Sequence, residues 1–158
     1  MVIILEGVNK TGKTTFSKLL QEKGFKYFKN KSVEFILQSN KIDKYSFFNG
    51  ELLGMANMLK YMNENIVIDR FHFTEFAYGF VDRNYLSDYV MHIDKMLNAI
   101  GVKLIYMDDK IEFINERVGR DLSVYKLAME LIYNVSSIDK IKHSLYGPTE
   151  KLFEWIGL

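Results

Sequence analysis

The first twenty-three residues constrain this chain more than any other stretch. Met1-Val-Ile-Ile-Leu-Glu6 is an apolar run of strand character, Gly7-Val-Asn-Lys-Thr-Gly12-Lys13-Thr14-Thr15 follows at once, and Phe16 to Lys23 is amphipathic. The order is strand, glycine-rich loop, helix, and the loop fits G-x-x-x-x-G-K-[ST] at every fixed position. Composition alone would produce that coincidence in on the order of 1% of chains this size, so an ordinary glycine-containing turn is the weaker reading. Glycines let backbone N–H groups turn inward around a polyphosphate, and the following helix presents the positive end of its dipole. Lys13 then supplies a point charge to the terminal phosphates and Thr14 a hydroxyl for Mg²⁺.

Composition narrows the ligand. With 158 residues the chain fits one domain, 1–158, and is long enough to bury roughly 70% of its unfolded surface. A balance of 21 basic against 20 acidic residues argues against a general nucleic-acid or membrane-surface binder, leaving a small molecule as the expected partner. The absence of cysteine excludes disulfides, thiolate metal sites and a cysteine nucleophile. No apolar run approaches the roughly eighteen residues of a membrane span, and the N-terminal run is too short for a signal peptide, so a cytoplasmic location is expected. Arg70, Arg83, Arg117 and Arg120 are the arginines of a lysine-rich chain. A planar guanidinium can hold phosphate bidentately where lysine cannot, which marks these positions.

Periodicity orders the rest. Phe16, Leu19 and Leu20 share a helical face, and Gly24 is placed for a left-handed cap. Phe25-Lys-Tyr-Phe28 alternates like a short strand, and Ser32 can cap a helix running through Val33, Phe35, Ile36 and Leu37. Asn40 to Asn49 reads as a loop whose Phe47-Phe48 pair is better explained by core packing than by base stacking. From Gly50 to Asn63 the apolar residues Leu52, Leu53, Met55, Ala56, Met58, Leu59 and Met62 wrap most of a helix, which predicts deep burial. Ile66-Val-Ile68 is a buried parallel strand carrying Asp69-Arg70 at its carboxyl end, where open α/β sheets bind ligands. Helices follow at Phe71 to Phe80 and Tyr85 to Ile100, then a strand at Val102 to Met107 ending in Asp108-Asp109. Lys110 to Val118 is helical, with Arg117 and Arg120 three apart on one face. Asp121 or Ser123 can cap a helix to about Val135, Lys140 to Leu145 is compatible with a last short strand, and Gly147-Pro148-Thr149 starts a helix. Strands alternating with helices predict an α/β fold, three layers, αβα, around a mainly parallel sheet of about five strands; with the loop after the first strand, this resembles the P-loop NTPase arrangement.

Four further features complete a site of the kind phosphoryl transfer needs, namely cations, a metal-side carboxylate and a seat for an acceptor. Lys10 places a second cation in the loop, unless it is a solvated surface lysine. Asp69 can hold Mg²⁺ through water or take an acceptor's proton, unless it only caps a helix. Arg70 would reach an acceptor phosphate, the alternative being a surface ion pair. Arg117 and Arg120, before a short polar segment, read as a flap or as partners of Glu116 or Asp121. His72 and His92 lack metal spacing and read as structural, and the eight methionines as core filler.

At these residues the chain resembles a family. Glu6-Gly-Val-Asn-Lys-Thr-Gly-Lys-Thr-Thr15 is similar to the phosphate loop of thymidylate kinases, roughly EGxDxxGKST. Asp69-Arg-Phe-His-Phe-Thr-Glu-Phe-Ala-Tyr78 resembles that family's DR(Y/F)xxSxxAY segment, and Leu52-Leu-Gly-Met-Ala-Asn57 its LLFxANR helix. The resemblance implies ATP as phosphoryl donor, bound by Gly7, Asn9, Lys10, Thr11, Gly12, Lys13, Thr14 and Thr15, with Mg²⁺ at Thr14 and Asp69. It implies that Arg70 binds an acceptor monophosphate, that Asn9 faces the acceptor sugar and Tyr78 lies beneath it, and that Lys10, Lys13, Asp69, Arg70, Arg117 and Arg120 act in catalysis. The two last arginines would belong to a short lid around 117–124, and a homodimer is implied.

Three departures matter. Asn9 replaces the usual aspartate, Gly54 stands where a base-stacking phenylalanine is common, and Met58 where an arginine helps to read the base. The expected activity is therefore transfer of the ATP γ-phosphoryl to a deoxynucleoside monophosphate with altered base preference, of the compact type seen in viruses. A deoxynucleoside kinase acting on a 5′-hydroxyl is the first alternative, and a nucleotide-binding protein without transfer activity the second. A 5′-polynucleotide kinase fits less well because the chain has no basic excess.

Overall fold

The computed structural model describes residues 1–29, 36 and 38–158. Among them five strands and seven helices alternate: β1 (Val2–Glu6), α1 (Lys13–Glu22), β2 (Lys26–Lys29), α2 (Lys44–Leu59), β3 (Ile66–Asp69), α3 (His72–Asp82), α4 (Val90–Ala99), β4 (Lys103–Met107), α5 (Ile111–Val118), α6 (Ser123–Val135), β5 (Asp139–His143) and α7 (Thr149–Ile156). All strand pairs are parallel and the order across the sheet is β2-β3-β1-β4-β5. The loop strand β1 is therefore central, with Leu5 beside Asp69 of β3 and Glu6 beside Tyr106 of β4. Parallel strands buried on both faces need continuous apolar sequence, as β1, β3 and β4 have.

Alternation along the strands divides the interior into two layers. Ile3, Leu5, Val67, Ile105 and Met107 face α1 and α7, packing on Phe16, Leu20, Leu152 and Ile156. Ile4, Ile66, Ile68, Leu104 and Tyr106 face the opposite side, where α2, α3, α4 and α6 lie. The three-layer α/β architecture expected from the sequence is the one observed.

Several boundaries differ. The helix expected from Ser32 to Leu37 lies outside the described residues except for Ile36, which is buried. Asn40 to Asn49 is not all loop. Asp43 caps α2, its carboxylate accepting from the Tyr45 N–H at 3.1 Å, so the helix starts at Lys44 and carries Phe48 into the core. That helix ends at Leu59 rather than Asn63 and buries only the stripe Phe48, Leu52, Ala56 and Leu59, leaving Met58 exposed. The helix expected from Tyr85 begins at Val90, because the Tyr85 and Tyr89 hydroxyls are drawn instead to the Glu75 carboxylate at 2.7 and 2.8 Å. Gly119 terminates α5 with φ +77°, which carries Arg120 off the face it was expected to share with Arg117. The last strand runs Asp139–His143.

Candidate functional site

A cleft of about 680 Å³ opens at the carboxyl ends of the strands, lined by Asn9, Lys10, Gly12, Lys13, Thr14, Thr15, Lys29, Asp69, Arg70, Arg117, Val118, Leu145 and Tyr146. The loop after β1 forms its floor. Gly7 (φ +132°) passes so close to β4 that a Cβ would sit 2.3 Å from the Met107 carbonyl oxygen, and a Cβ on Gly12 (φ +92°) would sit 2.5 Å from the Leu145 Cδ1. Lys10 adopts φ +63°, a left-handed residue in the middle of the loop. Beneath it the Thr11 hydroxyl donates to the Val8 carbonyl at 3.0 Å, staying buried rather than lining the cleft.

Lys13 folds back over the loop it follows. Its ammonium donates to the carbonyls of Gly7 (2.7 Å) and Val8 (2.5 Å) and to the Thr11 hydroxyl (3.3 Å). Burial, with the neighbouring Arg70 cation adding to it, draws its pKa down to about 7. A buried ammonium held by neutral oxygens is under-compensated, so the site favours an arriving anion.

Asp69 closes the tip of β3, only 2% exposed. Its Oδ2 accepts from the Tyr27 hydroxyl at 2.9 Å, while Oδ1 is buried with no partner among the described residues. Arg70 follows at φ +73°, its N–H donating to the Leu5 carbonyl at 2.9 Å, which fastens β3 to β1 at the turn. Its guanidinium donates to the Asn9 side-chain oxygen and lies 5.9 Å from the Tyr78 ring centroid. Tyr78 leans on Tyr125 (centroids 4.9 Å) and has a buried hydroxyl without a partner among the described residues, but it does not line the cleft.

Arg117 is held from two sides: it pairs with Asp109 at 2.5 Å and donates to the Lys10 carbonyl at 2.9 Å. Neither Glu116 nor Asp121 is its partner. Asp121 instead accepts from Ser123 and Asn115. Arg120 lies over the Tyr125 ring, 5.6 Å from its centroid, and does not line the cleft. The 117–124 segment thus divides, one arginine on the phosphate loop and the other outside.

Sequence reading missed five contributors. Glu6, buried at the end of β1, accepts from the N–H groups of Phe71 (2.9 Å), Phe73 (2.9 Å) and Thr74 (3.2 Å) and from the Thr74 hydroxyl (2.6 Å). A carboxylate closing an apolar strand was the signal for it. Lys29 reaches the cleft because the β2–β3 register sets it beside Asp69, and Tyr27 meets Asp69 by the same pairing. Leu145 and Tyr146 line the cleft from the loop after β5. His72 is structural as read: it faces Asp94 at 3.1 Å with both side chains fully buried.

Among the described residues no cluster of three or more His, Cys, Asp or Glu side chains suits a metal. A metal here would therefore share its coordination with a substrate, as Mg²⁺ does when it takes one or two protein oxygens and several phosphate oxygens. No helix of the described residues is long and apolar enough to cross a membrane.

Neither family models nor curated proteins give a match. Solved structures do. YorR protein from Bacillus subtilis, solved with phosphorylated GDP, is 20% identical over 99% of this chain and 93% of that one, with a TM-score of 0.69. Thymidylate kinase from Candida albicans is 15% identical over 99% and 90%, TM-score 0.64. Deoxyadenosine kinase from M. mycoides is 21% identical over 99% and 96%, TM-score 0.59. With the sheet order, the phosphate loop and these likenesses in hand, the chain has the P-loop fold of the thymidylate and deoxynucleoside kinases.

Proposed function

We propose that this protein is a phosphotransferase that moves the γ-phosphoryl of ATP to a deoxynucleoside monophosphate. The observation that carries the reading is the charge of the cleft: Lys10, Lys13, Lys29, Arg70 and Arg117 line it, with Asp69 as the one carboxylate among the described residues. A triphosphate on the loop would occupy Lys10, Lys13 and Arg117. Arg70 and Lys29, at the tips of β3 and β2, would remain for an acceptor that brings its own phosphate.

Binding would convert the resting contacts. Lys13 would exchange the Gly7 and Val8 carbonyls for phosphate oxygens, gaining the anionic partner that burial denies it. Arg70 would exchange the Asn9 oxygen for acceptor phosphate, freeing Asn9 for the sugar. Transfer of a phosphoryl group depends on positioning and charge neutralisation, and these are the services the residues offer. The donor set fits Mg²⁺, since Thr14 contributes a hydroxyl at the cleft and the partnerless Asp69 Oδ1 is a hard oxygen ligand. When bound, Mg²⁺ neutralises phosphate charge and orients the chain of phosphates. A homodimer in the cytoplasm belongs to the same reading, with light scattering as its measure.

A second reading has one observation behind it. Asp69 Oδ1 is also available to accept a proton from a 5′-hydroxyl, which a deoxynucleoside kinase needs. ADP release measured across the common deoxynucleosides and their monophosphates separates the two. Turnover of a monophosphate supports the proposal, turnover of nucleosides alone replaces it with the second reading, and hydrolysis unaffected by either would leave only a nucleotide-binding protein.

A further inference from the structure

We infer that Tyr27 is a positioning residue of the phosphoryl-transfer site: its hydroxyl pins one oxygen of Asp69 so that the other is presented to the metal–nucleotide complex. The inference rests on the phosphoryl-transfer reading and adds to it a residue outside the cleft.

Three observations converge on Tyr27. Its hydroxyl donates to Asp69 Oδ2 at 2.9 Å, across 42 residues of chain. The β2–β3 register pairs Tyr27 with Val67 and Lys29 with Asp69, so Tyr27 and Asp69 stand diagonally on one face of the sheet, the face that packs on α1. The ring already packs beside that apolar layer, a task a phenylalanine would perform equally well, so the hydroxyl is the part that needs a separate explanation. Asp69 Oδ1, in contrast, is buried and has no partner among the described residues. A carboxylate can turn about its last bond and swap its oxygens. With Oδ2 held, Oδ1 keeps one direction and needs no reorganisation when a cationic partner arrives.

Tyr27 does not line the cleft and so acts through Asp69 rather than on substrate. Partners one step removed from a metal ligand typically change metal affinity or activity by about 10- to 100-fold when deleted. The hydroxyl therefore has a measurable consequence even though the tyrosine touches neither nucleotide.

The test uses the full chain saturated with a non-hydrolysable ATP analogue and titrated with Mn²⁺ under electron paramagnetic resonance. Tyr27→Phe should raise the Mn²⁺ dissociation constant about tenfold and lower kcat about tenfold, while the affinity for the analogue without divalent ion stays at the wild-type value. In an Asp69→Asn background the same change should have no further effect on Mn²⁺ affinity. Wild-type Mn²⁺ affinity in Tyr27→Phe, or an equal loss in both backgrounds, overturns the inference. A crystal of the wild-type protein with Mn²⁺ and the analogue tests it without any variant: the Tyr27–Asp69 bond persists if the inference holds, and a broken bond overturns it. A wild-type protein that holds no Mn²⁺–nucleotide complex overturns the phosphoryl-transfer reading and the role of Tyr27 together. Failure in the variant alone leaves that reading standing.

Discussion

At the scale of single residues, two cations of the cleft are held in different ways, Lys13 on its own loop and Arg70 across to Asn9. Lys13 is 5% exposed and surrounded by oxygens of its own loop, and on the proposed function it is the charge nearest the terminal phosphates of a donor. Lys13→Ala is expected to lower kcat by about 10²-fold or more while leaving the circular-dichroism spectrum unchanged. Near-normal kcat in the folded variant would contradict the role. Arg70 is held in the left-handed region at φ +73° and bonds across to Asn9, so its side chain is aimed before any ligand arrives. Arg70→Ala should raise the acceptor KM, lower kcat, or both, while sparing ATP affinity. An equal weakening of ATP, read by calorimetric titration, would move Arg70 to the donor side.

At the scale of elements, buried carboxylates decide how helices sit on the sheet. Glu6 satisfies three N–H groups at the start of α3, donors that a helix N-terminus leaves without intrahelical partners. The strand carrying the phosphate loop thereby also orients the helix that carries Tyr78. Asp94 of α4 performs a second join, accepting from Ser136 (2.6 Å) and Ser137 (2.8 Å) beyond α6 and facing His72 of α3. Burial by itself would raise the Asp94 pKa, but the hydrogen bonds from His72, Ser136 and Ser137 outweigh it and hold the group at about 2, against an ordinary 3.8. A carboxyl depressed on folding stabilises above its unfolded pKa and loses that contribution as pH falls through the folded one. Urea unfolding should therefore show about 2 kcal/mol from this group above about pH 4, fading toward pH 2. Asp94→Asn should lose it at neutral pH and flatten that part of the profile. An unchanged acid limb would remove Asp94 from the account.

At the scale of the whole molecule, the cleft exists because β1 lies between β3 and β4, so that three strand tips converge on one loop. Gly7 is where that convergence is tightest. A Cβ there meets the backbone of Met107 at 2.3 Å, and a central strand cannot retreat as a side chain can. Gly7→Ala should weaken ATP-analogue binding at least tenfold and lower Tm, whereas wild-type affinity would show the loop free to reseat. Much of this was legible beforehand. Glycine spacing, β-branched runs and helical periodicity are local, and they sufficed for the phosphate loop, the alternation and the three layers. Local signals also misled where two competed: polar composition around Asn40 to Asn49 hid the Asp43 cap, and counting three residues from Arg117 to Arg120 overlooked Gly119 between them. What the sequence by itself determined is which segments form strands and helices and where the glycine-rich loop falls between them, because those depend on neighbours along the chain. Only the tertiary structure decided that Tyr27 and Lys29 meet Asp69, that Glu6 caps α3 and that Arg117 rests on Asp109 and the loop, because strand order and register arise from pairing between segments remote in sequence.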